Sequence, residues 1–295
     1  MIPGLSLVEK NICERIRLEL DSVGLLYRLF SRCKDERSIK DKIERKKEKG
    51  QPYSPQGKLI QDIIGIRIVT YFRDDVDLVA QILRDKFFFV DSEIDTPDPT
   101  VFKPKRTNII CRFDDGQDET FQEVKSTFDK DYFLVMDNTF ELQLRTILSE
   151  GWHEIDHSLR YKSQADWLDY PENERLLNGI YASLETNDIA LKNLFNELSY
   201  KHFKNRNWEG LIKNKFRLRF QITSLDQSLI DIFNDKPELG KALYKIEREE
   251  LLLQIYRSKL NFPLQLSTLV YLANALIIKD KDILEVTPSR IKDFL

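Results

Sequence analysis

Glu141, Gln143 and Arg145 stand at alternate positions of the segment FELQLRT, between Phe140, Leu142 and Leu144. In an extended chain this alternation sends an acid, an amide and a base to one face and three large apolar groups to the other. A helix predicted directly afterwards carries Trp152, His153, His157, Tyr161 and Lys162 within three turns. Such a junction can hold a cation and bind phosphate. It also reads as a surface strand followed by a solvated amphipathic helix. A second acid, Asp62, interrupts the apolar run LIQDIIGIRIVTYF. A carboxylate buried without a partner is costly or changes its pKa. Two of them on neighbouring strands suit a divalent metal, and all-oxygen ligation favours Mg²⁺. The alternative pairs each acid with a base of its own strand, Asp62 with Arg67 and Glu141 with Arg145.

Basic groups that could accompany such a metal lie upstream. Lys42, Arg45 and Lys46 are spaced i, i+3, i+4, so they share a helix face while Ile39 and Ile43 hold the helix down. With Arg37, that face could grip a triphosphate through charge-assisted hydrogen bonds. A solvated helix surface has the same composition. A third pattern, HEIDH at 153–157, matches the HExxH zinc-protease spacing. The chain has three histidines, and His202 stands far along the sequence, so a third zinc ligand has no positional support.

These residues need elements to position them. Apolar spacing predicts a helix over 5–33 and a basic helix starting near Ser38 and stopping at Gly50. The loop QPYSPQG comes next, then a buried strand at 59–72 and an amphipathic helix at 74–86 with Asp74 or Asp75 near its N-cap. Short strands are predicted at 87–90 and 108–113, with a proline-bearing loop at 95–106 and a turn at DDGQDE. Residues 121–130 form a short helix or an excursion, and 132–135 lead across Asp137 and Asn138 into FELQLRT. The class is therefore α+β, a mixed sheet flanked by helices. After Lys162 the pattern is helical, over 172–202, 208–219, 225–233, 239–256 and 264–278, and gives an all-helical C-terminal module. The expected division is 1–203 and 204–295.

Composition sets broad bounds. The 295 residues are 41% hydrophobic and 32% charged with a net charge of −3, so the chain can build real cores and has no global attraction to nucleic acid. Basic charge concentrates instead between Arg32 and Lys49. Three cysteines without CxxC spacing read as reduced thiols of a cytoplasmic protein. MIPGLSLVEK lacks the charge-then-apolar order of a secretory leader, and no apolar run approaches the ~20 residues of a membrane span.

Taken together and in order, the motifs resemble the RelA/SpoT-type synthetase domain, a nucleotidyltransferase-like fold, in its small or toxin-like members. QDIIGIRIVTYFRDDVDLVAQIL resembles the family's metal-bearing strand and following helix, and FELQLRT its ExQxRT strand. WHEIDHSLRYK resembles the helix that closes the site, RSIKDKIERK the basic ATP-contacting helix, and KPK at 103–105 the start of the acceptor loop. The likeness covers roughly 31–162. It implies that Asp62 and Glu141 hold Mg²⁺ and that Arg37, Lys42, Arg45, Lys46 and Arg67 bind ATP. Lys103, Lys105, Gln143, Arg145, His157 and Lys162 would serve the acceptor. The implied reaction moves the β,γ-pyrophosphoryl group of ATP to a 3′-hydroxyl, making (p)ppGpp-type alarmones from a guanine nucleotide. The family's Gly-Tyr-x-Ser-x-His loop is missing, since KPK runs into RTNIICRF. That leaves room for two other readings: a toxin that modifies the 3′ end of tRNA, or a non-catalytic nucleotide-binding module. Lys103, Lys105, Arg106 and Arg112 could contact RNA phosphates. No histidine precedes His153, so the family's hydrolase domain is not expected. The C-terminal module carries no assignable motif, and packing or homo-oligomerisation is its simplest role.

Overall fold

The computed structural model describes residues 3–94, 107–127, 131–260 and 263–293. It divides into two compact units, one of Met1–Arg17, Tyr27–Tyr71 and Leu83–Thr186, the other of Leu18–Leu26, Phe72–Ile82 and Asn187–Leu295. The first is built on a five-stranded mixed sheet, as the sequence pattern implies. Its strands are β1 (Tyr27–Cys33), β2 (Ile64–Thr70), β3 (Phe89–Ile94), β4 (Thr107–Arg112) and β5 (Thr139–Thr146), in the order β1-β2-β5-β4-β3. Only β2 and β5 run parallel; the other neighbours are antiparallel.

One sheet face is apolar. Ile64, Ile66, Ile68, Ile109, Cys111, Phe140, Leu142 and Leu144 are buried there, at alternate positions of their strands. Phe87 meets Phe140 edge-on at 5.3 Å, and Phe113 stacks on Phe140 at 6.3 Å. Helix α1 (Pro3–Ser22) contributes Leu5, Val8, Ile12 and Ile16 to the core of this unit. Its Gly4 lies so close to Val124 of α4 (Asp115–Thr127) that an added Cβ would stand 1.9 Å from a Val124 methyl. The opposite face carries the polar residues and is half-exposed.

Several local expectations are corrected. The helix predicted through Cys33 ends at Ser22, where Gly24 at φ +65° turns the chain, and 27–33 form β1. Leu25, Leu26 and Leu29 fit helical spacing by chance, and strand pairing with β2 overrides it. DDGQDE is the start of α4, not a turn. Asp114 accepts from the Gln117 N–H at 2.8 Å and Gln117 accepts from the Asp114 N–H at 3.1 Å, a reciprocal cap. Residues Asp131–Val135 form a 3₁₀ turn. Asp62 lies just before β2 rather than within it, because Ile63 and Ile64 are both buried and break the alternation. The basic helix α2 (Glu36–Glu48) is capped by Asp35, not Ser38, with the Asp35 carboxylate accepting from the Ser38 N–H at 2.7 Å.

The second unit contains the helices α7 (Trp208–Phe216), α8 (Gln227–Asp235), α9 (Pro237–Lys245), α10 (Arg248–Ser258), α11 (Leu266–Ala273), α12 (Lys281–Val286) and α13 (Ser289–Lys292). The single helix expected over 239–256 is two, because Ile246 and Glu247 adopt extended backbone. Helix α3 (Asp74–Arg84) is bound here by its acids: Arg217 forks onto Asp74 at 2.6 and 3.2 Å, and Arg248 meets the fully buried Asp75 at 2.5 Å. The expected boundary at 203/204 falls at the end of helix α6 (Pro171–Lys204). No described helix is long and apolar enough to cross a membrane.

Candidate active site

Pairing register arranges the polar face of the first unit as rows of side chains. One row runs Arg32, Gly65, Glu141, Ile110 across β1, β2, β5 and β4; the next runs Phe30, Arg67, Gln143, Asn108. Within these rows a hydrogen-bonded chain forms. Asn108 donates to Glu141 at 3.1 Å, and Gln143 donates to the other Glu141 oxygen at 2.9 Å. Arg67 donates to Gln143 at 3.0 Å and to Glu150 at 2.6 Å, and also meets Glu154. Arg145 closes the chain on Glu150 at 3.1 Å. Gln143 thus fixes both the Glu141 carboxylate and the Arg67 guanidinium.

Helix α5 (Ile147–Ile155) aims its acids at Arg67 because Thr146 and Ser149 form a capping box at the strand-to-helix junction, with reciprocal bonds of 3.1 and 3.0 Å. Glu150 and Glu154 then share a face one turn apart. Trp152 anchors the opposite side, donating its indole N–H to the Leu177 carbonyl at 3.0 Å and packing on Tyr181.

Asp62 sits in a second cluster. Lys34 approaches it at 2.5 Å, and Lys42 reaches both of its oxygens at 2.7 Å. Burial disfavours the Asp62 charge, yet the two ammonium groups outweigh it and hold its carboxyl below the usual range. Burial also weakens Lys34, only partly offset by Asp62, and takes it down to about 8. Lys42, also buried, is held above its ordinary value by Asp62. Neither expected same-strand pairing forms: Asp62 binds two lysines rather than Arg67, and Glu141 binds two amides rather than Arg145.

A cavity of ≈160 Å³ opens beside the first cluster, lined by Phe30, Arg32, Gly65, Arg67, Gln143 and Glu154 among others. Gly65 is its floor; a Cβ there would stand 3.6 Å from Arg32 Nε.

Among the residues expected to act, Lys42, Asp62, Arg67, Glu141, Gln143 and Arg145 fall into these clusters. Three do not. Arg45 bonds its own helix at Asp41, Lys46 reaches Gln51 at 3.5 Å, and Arg37 is exposed near the start of α2. His157 and Lys162 are exposed on the turns after α5, with the His157 ring stacked on Tyr161 at 5.9 Å. Partial burial, then Lys162, lowers the His157 pKa. Lys103 and Lys105 lie outside the described residues. Arg32, Lys34, Asn108 and Glu150 were not anticipated. Arg32 was hidden with β1 by the overextended first helix, although Gly24 is a stop signal that would have exposed the strand. As for HEIDH, Glu154 is ion-paired to Arg67 and His153 packs against Trp152 and Tyr181, so neither is arranged for zinc chemistry.

Among the described residues no three His, Cys, Asp or Glu side chains converge as a metal cluster. A cation here would take Asp62 and Glu141 as oxygen ligands and complete its shell with water and phosphate, which suits a hard ion. Among the described residues Glu141 is held by the neutral amides of Asn108 and Gln143, which leaves its charge uncompensated there. Asp62 is engaged by the Lys34 and Lys42 ammonium groups.

Residues 31–166 match the family described as "Region found in RelA / SpoT proteins". Among solved structures, small alarmone synthetase 1 from Bacillus subtilis bound to its product pppGpp is 21% identical, covers 67% of this chain and 95% of its own, and has a TM-score of 0.46. A GTP pyrophosphokinase family protein from Streptococcus pneumoniae is 22% identical, with coverage of 65% and 89% and a TM-score of 0.44. Small alarmone synthetase 2 from B. subtilis is 20% identical, with coverage of 65% and 97% and a TM-score of 0.45. Comparison with curated proteins gives no match. The matched region takes in the end of β1 with α2, β2, β5 and α5, the elements that assemble both clusters, so the likeness to RelA/SpoT proteins falls on residues 31–166.

Proposed function

We propose that the first unit is a pyrophosphokinase that transfers the β,γ-pyrophosphoryl group of ATP to the 3′-hydroxyl of a guanine nucleotide, releasing AMP. The observation that carries this reading is that a lysine-flanked acid, an amide-held acid and an arginine-lined cavity all fall inside the matched region. ATP enters with its base at the Arg32–Arg67 cavity and its phosphates toward Lys34 and Lys42, where Asp62 becomes available. Mg²⁺ held by Asp62 and Glu141 would neutralise charge on the transferred group. Gln143 keeps Glu141 and Arg67 oriented, and Arg67, tied to Glu150 and Glu154, stays in place without reorganisation as charge shifts. Lys103, Lys105, Arg145, His157 and Lys162 belong to the acceptor side, and Arg37, Arg45 and Lys46 to the approach of ATP.

A second reading has its own support. Thr107 begins β4 directly after the KPKR segment, and Ile109 and Cys111 are buried, so the residues that follow KPK form a strand, not a nucleotide-binding loop. That favours an acceptor other than a free guanine nucleotide, with the 3′ end of tRNA as the named alternative. Labelled ATP offered with GDP, GTP, ATP and deacylated tRNA in parallel separates the two. Label transfer to GDP or GTP supports alarmone synthesis. Label on tRNA alone selects the toxin reading, and ATP binding without transfer to any acceptor leaves a regulatory module.

A further inference from the structure

Phe88 is 67% exposed, an unusual state for a phenylalanine beside a buried sheet. Its carbonyl accepts from the Arg112 N–H at 3.0 Å, one step beyond the Phe89–Cys111 pair of the β3–β4 ladder. Residues directly opposite in an antiparallel pair share a face, and the Arg112 guanidinium indeed lies over the Phe88 ring at 5.6 Å. Which face this is follows from period two along β4. Asn108 touches Glu141, so Ile110 and Arg112 project to the same polar face. Arg112 stands opposite Thr139 on β5, and Glu141 opposite Ile110, so the Phe88–Arg112 pair is one side-chain row from Glu141. Sheet spacings put Phe88 about 12 Å from Glu141 between Cα positions, a span that a nucleotide covers. A groove of ≈480 Å³ lies along β3 itself, lined by Arg84, Phe88, Val90 and Asp91 among others and bordered by Phe88 on the side of Arg112. Arg112 is exposed, and among the described residues no carboxylate pairs with it.

We propose that Phe88 and Arg112 form a base platform for the molecule that receives the pyrophosphoryl group. The ligand is a purine base carried on a ribose phosphate. Its π-face stacks on the Phe88 ring, the Arg112 guanidinium meets the base edge or its phosphate, and the ribose points toward Glu141. This role rests on the proposed pyrophosphokinase reading, in which Glu141 marks the reacting end. An exposed aromatic with a bound guanidinium recognises any purine face, so the platform serves a free nucleotide and a tRNA 3′-adenosine alike.

The test uses the full chain with Phe88→Ala, Arg112→Ala and Phe88→Trp. In the first two, loss of stacking raises the acceptor KM about 10- to 100-fold while the ATP KM stays within twofold. The Phe88→Trp indole reports binding by fluorescence in the presence of a non-hydrolysable ATP analogue. Quenching by GDP or by deacylated tRNA, and not by ribose 5-phosphate, supports the platform and identifies the source of the purine. If the wild-type chain transfers to no acceptor yet a purine nucleotide still quenches the indole, the platform stands and the pyrophosphokinase reading falls. An unchanged acceptor KM with a silent indole overturns the platform. So does an equal rise in both KM values, which would mark a general structural effect.

Discussion

Gly65 leaves the cavity between Arg32 and Arg67 open, and its backbone is ordinary extended strand, so a side chain can be added there without strain. Gly65→Val places a branched group against Arg32 and occupies the space assigned to the ATP base. The ATP KM should rise about tenfold, equivalent to ~1.4 kcal/mol. The melting temperature should hold or rise, because valine suits a strand better than glycine. Equal affinity in a calorimetric titration would remove the cavity from the nucleotide site. At this scale the polar face of β5 was legible: strict alternation in FELQLRT is enough to put Glu141, Gln143 and Arg145 together. Their partners were not legible. Asn108 reaches Glu141, and Lys34 reaches Asp62, only because of strand register and loop path, and a single sequence states neither.

Elements decide whether those side chains meet. The Thr146–Ser149 capping box starts α5 directly at the end of β5 and so fixes where Glu150 and Glu154 point. Thr146→Ala should cost about 1 kcal/mol of stability in urea unfolding. It should also lower transfer activity more than that loss of stability explains, through the loosened Arg67. A stability loss with full activity would limit the cap to a folding role. The cap motif at Thr146 sits openly in the sequence, as does the Asp114–Gln117 cap that starts α4. The second was misread because an acidic, glycine-bearing run resembles a turn when the reciprocal side-chain bonds are not considered. The error at β1 has another cause: leucines at helical spacing carry no sign of the sheet edge that recruits them.

At the scale of the whole molecule, the two units are interleaved in sequence, since the second draws 18–26 and 72–82 from within the first. Its Asp74 and Asp75 depend on Arg217 and Arg248, residues far along the chain. Arg248→Ala leaves a buried, unpaired carboxylate at Asp75 and should destabilise by about 3–5 kcal/mol in denaturant unfolding. A loss under 1 kcal/mol would show that the pair is incidental. Burial opposes the Asp74 charge, but Arg217 and Arg248 outweigh it and its pKa is lowered. The native state therefore binds fewer protons than the unfolded chain just below the ordinary aspartate pKa of ~3.8. The stability this contributes is complete above that value and is lost as pH falls through the lower native one. Asp74→Asn should flatten the acid limb of the stability curve, and an unchanged limb would assign acid unfolding to other groups. The proposed chemistry has Asp62 and Glu141 work together on a pyrophosphoryl group. Its most direct measurement follows label from β-phosphate-labelled ATP into an acceptor with wild-type, Asp62→Asn and Glu141→Gln chains. Labelled product and AMP are expected from the wild type, and at least ~100-fold less from each variant with ATP still bound. Transfer by either variant at the wild-type rate would contradict it.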